Sequence, residues 1–241
     1  MKARLDLKTI LYRAAFKKRF RAAPARPIVT FCFDDFPRSA FEAGAPVLES
    51  RGARATFYAC AGLMASGARP KLATPPMLVE AIARGHEVAN HTFTHPNLRD
   101  LPSARIVEQL RRNQEALPPG ATRHFAYPFG AGDTRVEWIV SRLAPTARSC
   151  VPGINAGLAS THWLRANELY ACNDPARPLR LIEENRRRKG WLIFFTHGVS
   201  AAPGPYDATP DLLAATLDAA LTSGAEVLPV DAAWRRIRRG D

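Results

Sequence analysis

The stretch Ile28-Val29-Thr30-Phe31-Cys32-Phe33, closed by Asp34-Asp35, decides how this chain is read. Six residues of apolar, β-branched and aromatic character describe a strand, and two carboxylates stand at its end. A second polar cluster, His91-Thr92-Phe93-Thr94-His95, also follows a short apolar segment. One carboxylate with two imidazoles is a ligand set that leaves coordination positions open on a metal ion. Open positions hold water, and water held there points to hydrolysis. His91 and His95 are four apart, so on one helical turn both would project to the same side. Neutral imidazole suits Zn, Co, Ni or Fe, and a carboxylate adds charge balance.

Outward from these clusters, apolar strand-like runs alternate with helix-like stretches. Strands are predicted at 27–33, 53–59, 86–90, 123–127, 146–150, 191–196 and 225–230. Helices are predicted near 39–50, 75–84, 102–117, 134–143, 179–189 and 210–223. Pro102 and Ser103 suit a helix start, and Gly85, Gly190 and Gly224 stand where a helix C-terminus needs glycine. The alternation implies a parallel sheet with crossover helices, either a barrel or a doubly wound sheet. Chemistry-bearing residues follow four of the strands: Asp34-Asp35, His91, Phe129-Gly130 and His197. Active sites of β/α barrels gather at such strand ends. Residues 150–178 and 200–210 read as loops near the mouth.

Four segments occur in a telling order: Thr30 to Asp35, His91 to His95, Phe125-Ala126-Tyr127-Pro128-Phe129-Gly130, and Phe195-Thr196-His197. Over roughly residues 27 to 230 the chain resembles the NodB-type polysaccharide deacetylases, carbohydrate esterase family 4, among them enzymes of the exopolysaccharide or holdfast type. The resemblance implies a distorted, incomplete (β/α)7 barrel. It implies Asp35, His91 and His95 as ligands of a divalent metal, Zn foremost, with Co, Ni or Fe as alternatives. Asp34 becomes the general base and His197 the general acid. Tyr127, Pro128 and Phe129 become the oxyanion loop, with the Phe129 N–H as donor, and Phe195 lines the acetyl-methyl pocket. Three departures stand out. Phe36, followed by Pro37, occupies the position of a family glycine. Ala126 occupies that of an arginine which orients the base. The fourth motif has no clean match, its region falling at Cys150 to Trp163. Arg148, in the fifth strand, is the cation that could serve in place of the missing arginine. Asn155 and Trp163 are candidate sugar contacts, and His86, His124 and His162 are expected to be structural.

The net charge of +12 is unevenly placed: residues 1–26 carry nine Lys/Arg and one acid, a net +8. Leu7, Ile10, Leu11 and Ala14 would share one side of a helix. The expected organisation is therefore a basic, helical N-terminal segment (1–26) ahead of a catalytic domain (27–241). Such a helix either docks on the barrel or contacts an anionic membrane through residues 1–22. No basic-aromatic pattern of a nucleic-acid binder is present. No apolar run is long enough for a membrane span, and the N-terminus does not read as a signal peptide. The expectation is a cytoplasmic protein, peripheral at the inner membrane, with its four cysteines reduced. Its substrate would be an N-acetylhexosamine polysaccharide or oligosaccharide, such as a lipid-linked exopolysaccharide or adhesin intermediate. De-O-acetylation of a polysaccharide and an inactive carbohydrate-binding barrel are the alternatives.

Overall fold

The computed structural model describes residues 18–67 and 71–240. Its centre is a curled parallel sheet. The strands are β1 (Arg19–Ala22), β2 (Ile28–Phe33), β3 (Thr56–Ala59), β4 (Glu87–Asn90), β5 (Phe125–Ala126), β6 (Ala147–Arg148), β7 (Gly157–Ser160), β8 (Asn167–Glu168), β9 (Trp191–Thr196) and β10 (Glu226–Val227). Their order in the main sheet is β6-β5-β4-β3-β2-β9-β8, with β10 also pairing β2. This is the distorted, incomplete (β/α)7 barrel expected from the sequence. The ends of the sheet are linked through an irregular segment: Leu164 N–H donates to Ala147 O and Ser149 N–H to Leu164 O, both at 2.9 Å. All seven predicted strands are present. The two-residue β8, which carries Asn167 and Glu168, is an addition, because it has no apolar run to announce it.

The pleat sorts each strand's side chains by parity. On β2, Val29, Phe31 and Phe33 join the large outer core, while Ile28 and Cys32 join the cluster inside the barrel. On β9, Leu192 and Phe194 go outward, and Trp191, Ile193 and Phe195 inward. Both faces are buried, which is why these strands read as unbroken apolar runs. Continued one step past each strand, the inward series arrives at Asp34 and His197.

Helices cover the outer face. After a π-helical run (Ala40–Gly44) come α1 (Ala45–Glu49), α2 (Ala61–Ser66), α3 (Pro75–Ala83), α4 (Ser103–Ala116), α5 (Thr134–Val140), α6 (Arg177–Arg188), α7 (Pro210–Thr222) and α8 (Val230–Arg239). Asp133 caps α5 by accepting from Val136 N–H, and Thr209 caps α7 through Leu212 N–H. The α6 terminus differs from expectation. Lys189, at φ 47°, takes the left-handed position, and Gly190 serves another purpose. A Cβ there would lie 2.7 Å from the Ile154 side chain and 2.9 Å from Asn155 O. Helix α8 replaces the end of the last predicted strand, since Pro229 ends the strand and begins the helix.

The helix expected in residues 1–26 lies outside the described residues as far as residue 17. Beyond that, Arg19–Ala22 is a strand, not a helix, paired antiparallel with β7. Phe20 turns inward onto the Trp234 ring, with centroids 5.0 Å apart, so alternation rather than a helical stripe governs this stretch.

The glycine replaced by Phe36 leaves its mark. Phe36 keeps a left-handed backbone, φ 50°, which costs a non-glycine residue about 1–2 kcal/mol. Its ring is fully buried and stacked on Phe57 at 4.4 Å, and burial of that size is worth about 3–5 kcal/mol against alanine. Packing therefore outweighs strain. Phe36→Gly, despite restoring the family residue, is expected to lower stability by roughly 2–3 kcal/mol in urea unfolding. A stabilised variant would show that the strain dominates.

Candidate active site

A pocket of about 470 Å³ opens at the C-terminal ends of the strands. Asp34, Asp35, His91, His95, Tyr127, Phe129, Phe195 and His197 all line it. Strand parity supplies Asp34, His91 and His197. Asp34 continues β2 through its N–H, which donates to Thr196 O at 2.9 Å.

Asp35 faces both imidazoles: its Oδ1 lies 3.4 Å from His95 Nε2 and 3.7 Å from His91 Nε2. One ligand atom from each of the three residues falls within 4.8 Å of the others. His91 Nδ1 lies 2.8 Å from Ala126 O. A carbonyl can only accept, so Nδ1 carries the proton and Nε2 presents a lone pair. Burial pushes the His91 pKa down, which favours that neutral form. A lone pair set toward a carboxylate oxygen, beyond hydrogen-bond distance, is an arrangement that a cation between them resolves. The three residues fit a divalent metal on this ground.

His91 and His95 do not share a helical turn. They stand on a loop after β4, with Thr92 at φ 69° and His95 at φ 55°. Side chains of α4 hold this loop. Gln109 Oε1 accepts from the N–H groups of Phe93 and Thr94, each at 3.0 Å. Asn113, fully buried, donates to Asn90 Oδ1 at 2.9 Å, and that same oxygen accepts from Thr92 N–H at 3.0 Å. Neither Gln109 nor Asn113 was singled out in the sequence; both look like ordinary polar residues on a solvated helix.

Asp34 is buried and ion-paired with Arg148, whose guanidinium donates to Asp34 Oδ1. Ala126 and Arg148 are register partners on adjacent strands, so the guanidinium comes from the strand next to that of the family arginine. Its carbon lies 4.8 Å from the Phe195 ring centre and 5.1 Å from that of Tyr58. Burial alone would raise the Asp34 pKa. The charge of Arg148, with His91 and His197 behind it, outweighs burial and holds the carboxyl below its usual range.

His197 packs against Tyr170 and Tyr206, with ring centroids 6.3 and 5.7 Å away. Its Nδ1 is buried with no hydrogen-bond partner among the described residues. Tyr127 donates from its hydroxyl to His162 O at 3.0 Å. Pro128 begins a tight turn in which Phe129 takes φ 58°. The Phe129 ring stands 69% exposed at the pocket rim, edge-on to His95 at 4.6 Å.

Two expected sugar contacts lie elsewhere. Asn155 is buried at the N-terminal end of β9, where its side chain donates to Arg165 O and Trp191 O. Its role is to pin the chain to the barrel's far end. Trp163 packs on the outer side of Tyr127 at 5.0 Å and does not line the pocket. In their place the pocket takes Cys150, Glu168, Tyr170 and Tyr206. Glu168 comes from β8, past the region assigned to the fourth motif. Tyr206 comes from the 200–210 loop, which Asp207 braces by accepting from Gly198 and Gly204 N–H at 2.7 and 3.0 Å. His86, His124 and His162 are structural, bonded respectively to Glu49 and Ala55, to Thr146 and Asp231, and to Ala144.

With this geometry in view, comparison with known proteins is decisive on kinship. The polysaccharide deacetylase family model matches residues 21–147. The chain belongs to that family. It is 34% identical over 149 residues to a chitooligosaccharide deacetylase of Sinorhizobium fredii, covering 59% of this chain and 60% of that one. A Bradyrhizobium chitooligosaccharide deacetylase is 31% identical over 121 residues, 48% of this chain and 46% of its own. The match thus spans about three-fifths or less of these curated relatives. Among solved structures, a family 4 carbohydrate esterase from Streptomyces lividans, in complex with acetate, superimposes with TM-score 0.60 at 18% identity, over 86% of this chain and 93% of its own. A family 4 pseudoenzyme from Bacillus anthracis does so with TM-score 0.58 at 17% identity, over 88% and 67%. These structures establish the fold of this deacetylase-family chain; any chemistry has to be argued from its residues.

The buried ion pair gives a test independent of activity. Removing one partner strands a charge and is expected to cost about 3–5 kcal/mol. Arg148→Met should show this loss in urea unfolding, and Asp34→Asn combined with Arg148→Met should recover a large part of it. Strictly additive losses would mean that the pair is not coupled.

Proposed function

We propose that this protein is a metal-dependent de-N-acetylase of an N-acetylglucosamine-type polysaccharide or oligosaccharide. The observation that carries this reading is the convergence of Asp35, His91 and His95 beside the Arg148-paired carboxylate of Asp34, with His197 across the same pocket. The names of the curated relatives, chitooligosaccharide deacetylases, support the substrate class.

Asp35, His91 and His95 would hold the ion. Zinc suits two imidazoles and one carboxylate, as do Co, Ni and Fe. When bound, a divalent ion polarises a carbonyl and acidifies water. The chain's own groups do the rest. Asp34 accepts a proton from the water that attacks the acetamide carbon, and Arg148 keeps that carboxylate ionised and aimed. The Phe129 N–H, on its left-handed turn, donates to the carbonyl oxygen as negative charge develops there; one such donor is typically worth about 3 kcal/mol. His197 gives a proton to the leaving nitrogen as the C–N bond breaks. Phe195 and Tyr127 bound an apolar space for the acetyl methyl. Water and amide become acetate and a free amino sugar, which carries a new cation.

We further propose that the polymer is an exopolysaccharide or adhesin intermediate, of the holdfast type, reached while lipid-linked at the cytoplasmic face of the inner membrane. The concentration of basic residues in 1–22 supports this placement through attraction to anionic lipid. No helix among the described residues is long and apolar enough to cross a membrane.

Purified protein stripped of metal should release no acetate from N-acetylglucosamine oligomers, and Zn or Co should restore release. Asp34→Asn should lose about 10²–10⁴-fold in kcat while still binding the metal. Acetate from O-acetylated xylan alone would turn the reading to ester hydrolysis, and tight metal binding without turnover of either substrate would favour a binding role. Separately, truncation of residues 1–17, which spares β1, should abolish cosedimentation with anionic liposomes. Unchanged cosedimentation would refute the membrane role of this segment.

A further inference from the structure

Among the described residues, one side of the barrel has no helix over it. Between β6 and β8 the chain forms only β7, which pairs with β1. Residues of the seam there alternate: Leu164 enters the barrel interior with Cys32 and Ala126, whereas Trp163 packs outside with Tyr127. Arg165, two further on from Trp163, shares its side. Against this uncovered wall the β1–β7 ribbon leaves a groove of about 780 Å³, larger than the catalytic pocket.

Three arginines line the groove: Arg19 from β1, Arg165 from the seam and Arg188 from the end of α6. No carboxylate is among its lining residues. Arg165 lies over Gly153, where its Cδ is 3.0 Å from the place a Cβ would take, and its Nη1 donates to Pro152 O at 2.8 Å. One donor is committed in this way, and the planar head is held with its others available. Among the described residues neither Arg19 nor Arg165 has a carboxylate at ion-pair distance. Among the described residues, acids stand at the margins: Glu184 pairs with Arg188 at 2.8 Å, and Glu137 lies 3.4 Å from the Ser160 hydroxyl. Arginine forks match oxyanions, and two guanidiniums lining one groove, without a carboxylate partner among the described residues, select for them. The half-buried Trp163 offers a flat apolar face beside the charges. Val151 lines the groove, and its neighbour Cys150 lines the catalytic pocket.

We propose that this groove is a binding site for a phosphate group carried by the glycan substrate, a phosphorylated or diphosphate-bearing saccharide, with Arg19 and Arg165 as the anion ligands and Trp163 as the sugar platform. It rests on the reading of the chain as a glycan-acting enzyme and adds which glycan it takes. A phosphate held there anchors one part of the chain outside the barrel while another enters the pocket.

The test compares an N-acetylglucosamine trisaccharide 1-phosphate with the neutral trisaccharide on the full-length protein. Binding is followed by tryptophan fluorescence, with Trp163→Phe to assign the signal. The phosphorylated trisaccharide should bind about ten-fold tighter, the scale of one charge-assisted hydrogen bond. Inorganic pyrophosphate should compete with it, and added salt should weaken it. In Arg19→Gln/Arg165→Gln the ratio of the two affinities should fall to near one. The single Arg19→Gln, at an exposed position of β1, should show part of that loss if the double variant folds poorly. Equal affinity for the two trisaccharides, a preference that survives in the double variant, or no competition by pyrophosphate would each overturn the proposal. Since the signal is binding, a failure of acetate release would count against the deacetylase reading alone.

Discussion

The pleat of a strand buried on both faces is the constraint on which the rest depends. Side chains alternate, so a β-strand inside a helix-wrapped barrel must assign every second residue to the interior. In β2 that interior series runs Ile28, Thr30, Cys32, Asp34, and in β9 Trp191, Ile193, Phe195, His197. The two strands pair in parallel over their full length, from Ile28 beside Trp191 to Phe33 beside Thr196. Their interior residues therefore reach the mouth in the same layer. A single inserted residue in either strand would send the acid or the imidazole into the helical layer. Position in the pleat, more than any local signal, brings these groups together.

Placing a carboxylate there has a physical cost. Asp34 follows an apolar column and has Tyr58 and Phe195 nearby, so its charge needs a partner. The guanidinium of Arg148 provides one from β6 instead of β5. Neighbouring strands lie about 4.8 Å apart, a distance that an arginine side chain spans easily. Because Ala126 and Arg148 are register partners of the same inward parity, the exchange keeps the charge in the same layer. A buried ion pair of this kind roughly breaks even against apolar packing. Its value lies in keeping the Asp34 carboxyl ionised in an interior that would otherwise protonate it, as the proposed role of proton acceptor requires.

Much of this was legible in sequence, for a reason particular residues make plain. Long runs such as Trp191–Thr196 are buried on both sides and so announce themselves, and the polar residues that end them follow directly. Where the frame is built from something other than apolar periodicity, no such run marks it. Asn167–Glu168 is a polar strand two residues long, so neither β8 nor its pocket residue Glu168 carries a signal in the sequence. Helix α8 has its apolar Val230, Ala233 and Ile237 at helical spacing, but its first residue, Val230, ends the strand-like run 225–230, which hides where the helix begins. His91 and His95 have helical spacing without a helix, and nothing local announces the two left-handed residues that turn them together. Asn155 and Trp163 have suitable chemistry, on a segment whose composition reads as a loop over the mouth. That segment instead closes the side and the far end of the barrel.

Those left-handed residues are not scattered. Among the described residues six non-glycine positions have positive φ, and five of them, Asp35, Phe36, Thr92, His95 and Phe129, stand in the loops that form the pocket. Each carries strain of about 1–2 kcal/mol, and strain persists only where surroundings over-determine it. Here the surroundings can be named. Phe36 is stacked on Phe57, which fixes the turn that presents Asp35. The N–H of Thr92 is bonded to Asn90, itself held by Asn113. The N–H of His95 donates to the Thr92 hydroxyl at 3.0 Å. The turn at Phe129 is closed by Gly130 N–H on Tyr127 O at 2.9 Å. The metal-ligand candidates and the proposed oxyanion donor are thus held in conformations that free loops would abandon, by packing and hydrogen bonds within the chain. At position 36, where the resemblance expects glycine, the aromatic packing of Phe36 on Phe41 and Phe57 offsets the left-handed backbone, so packing stands in for backbone freedom.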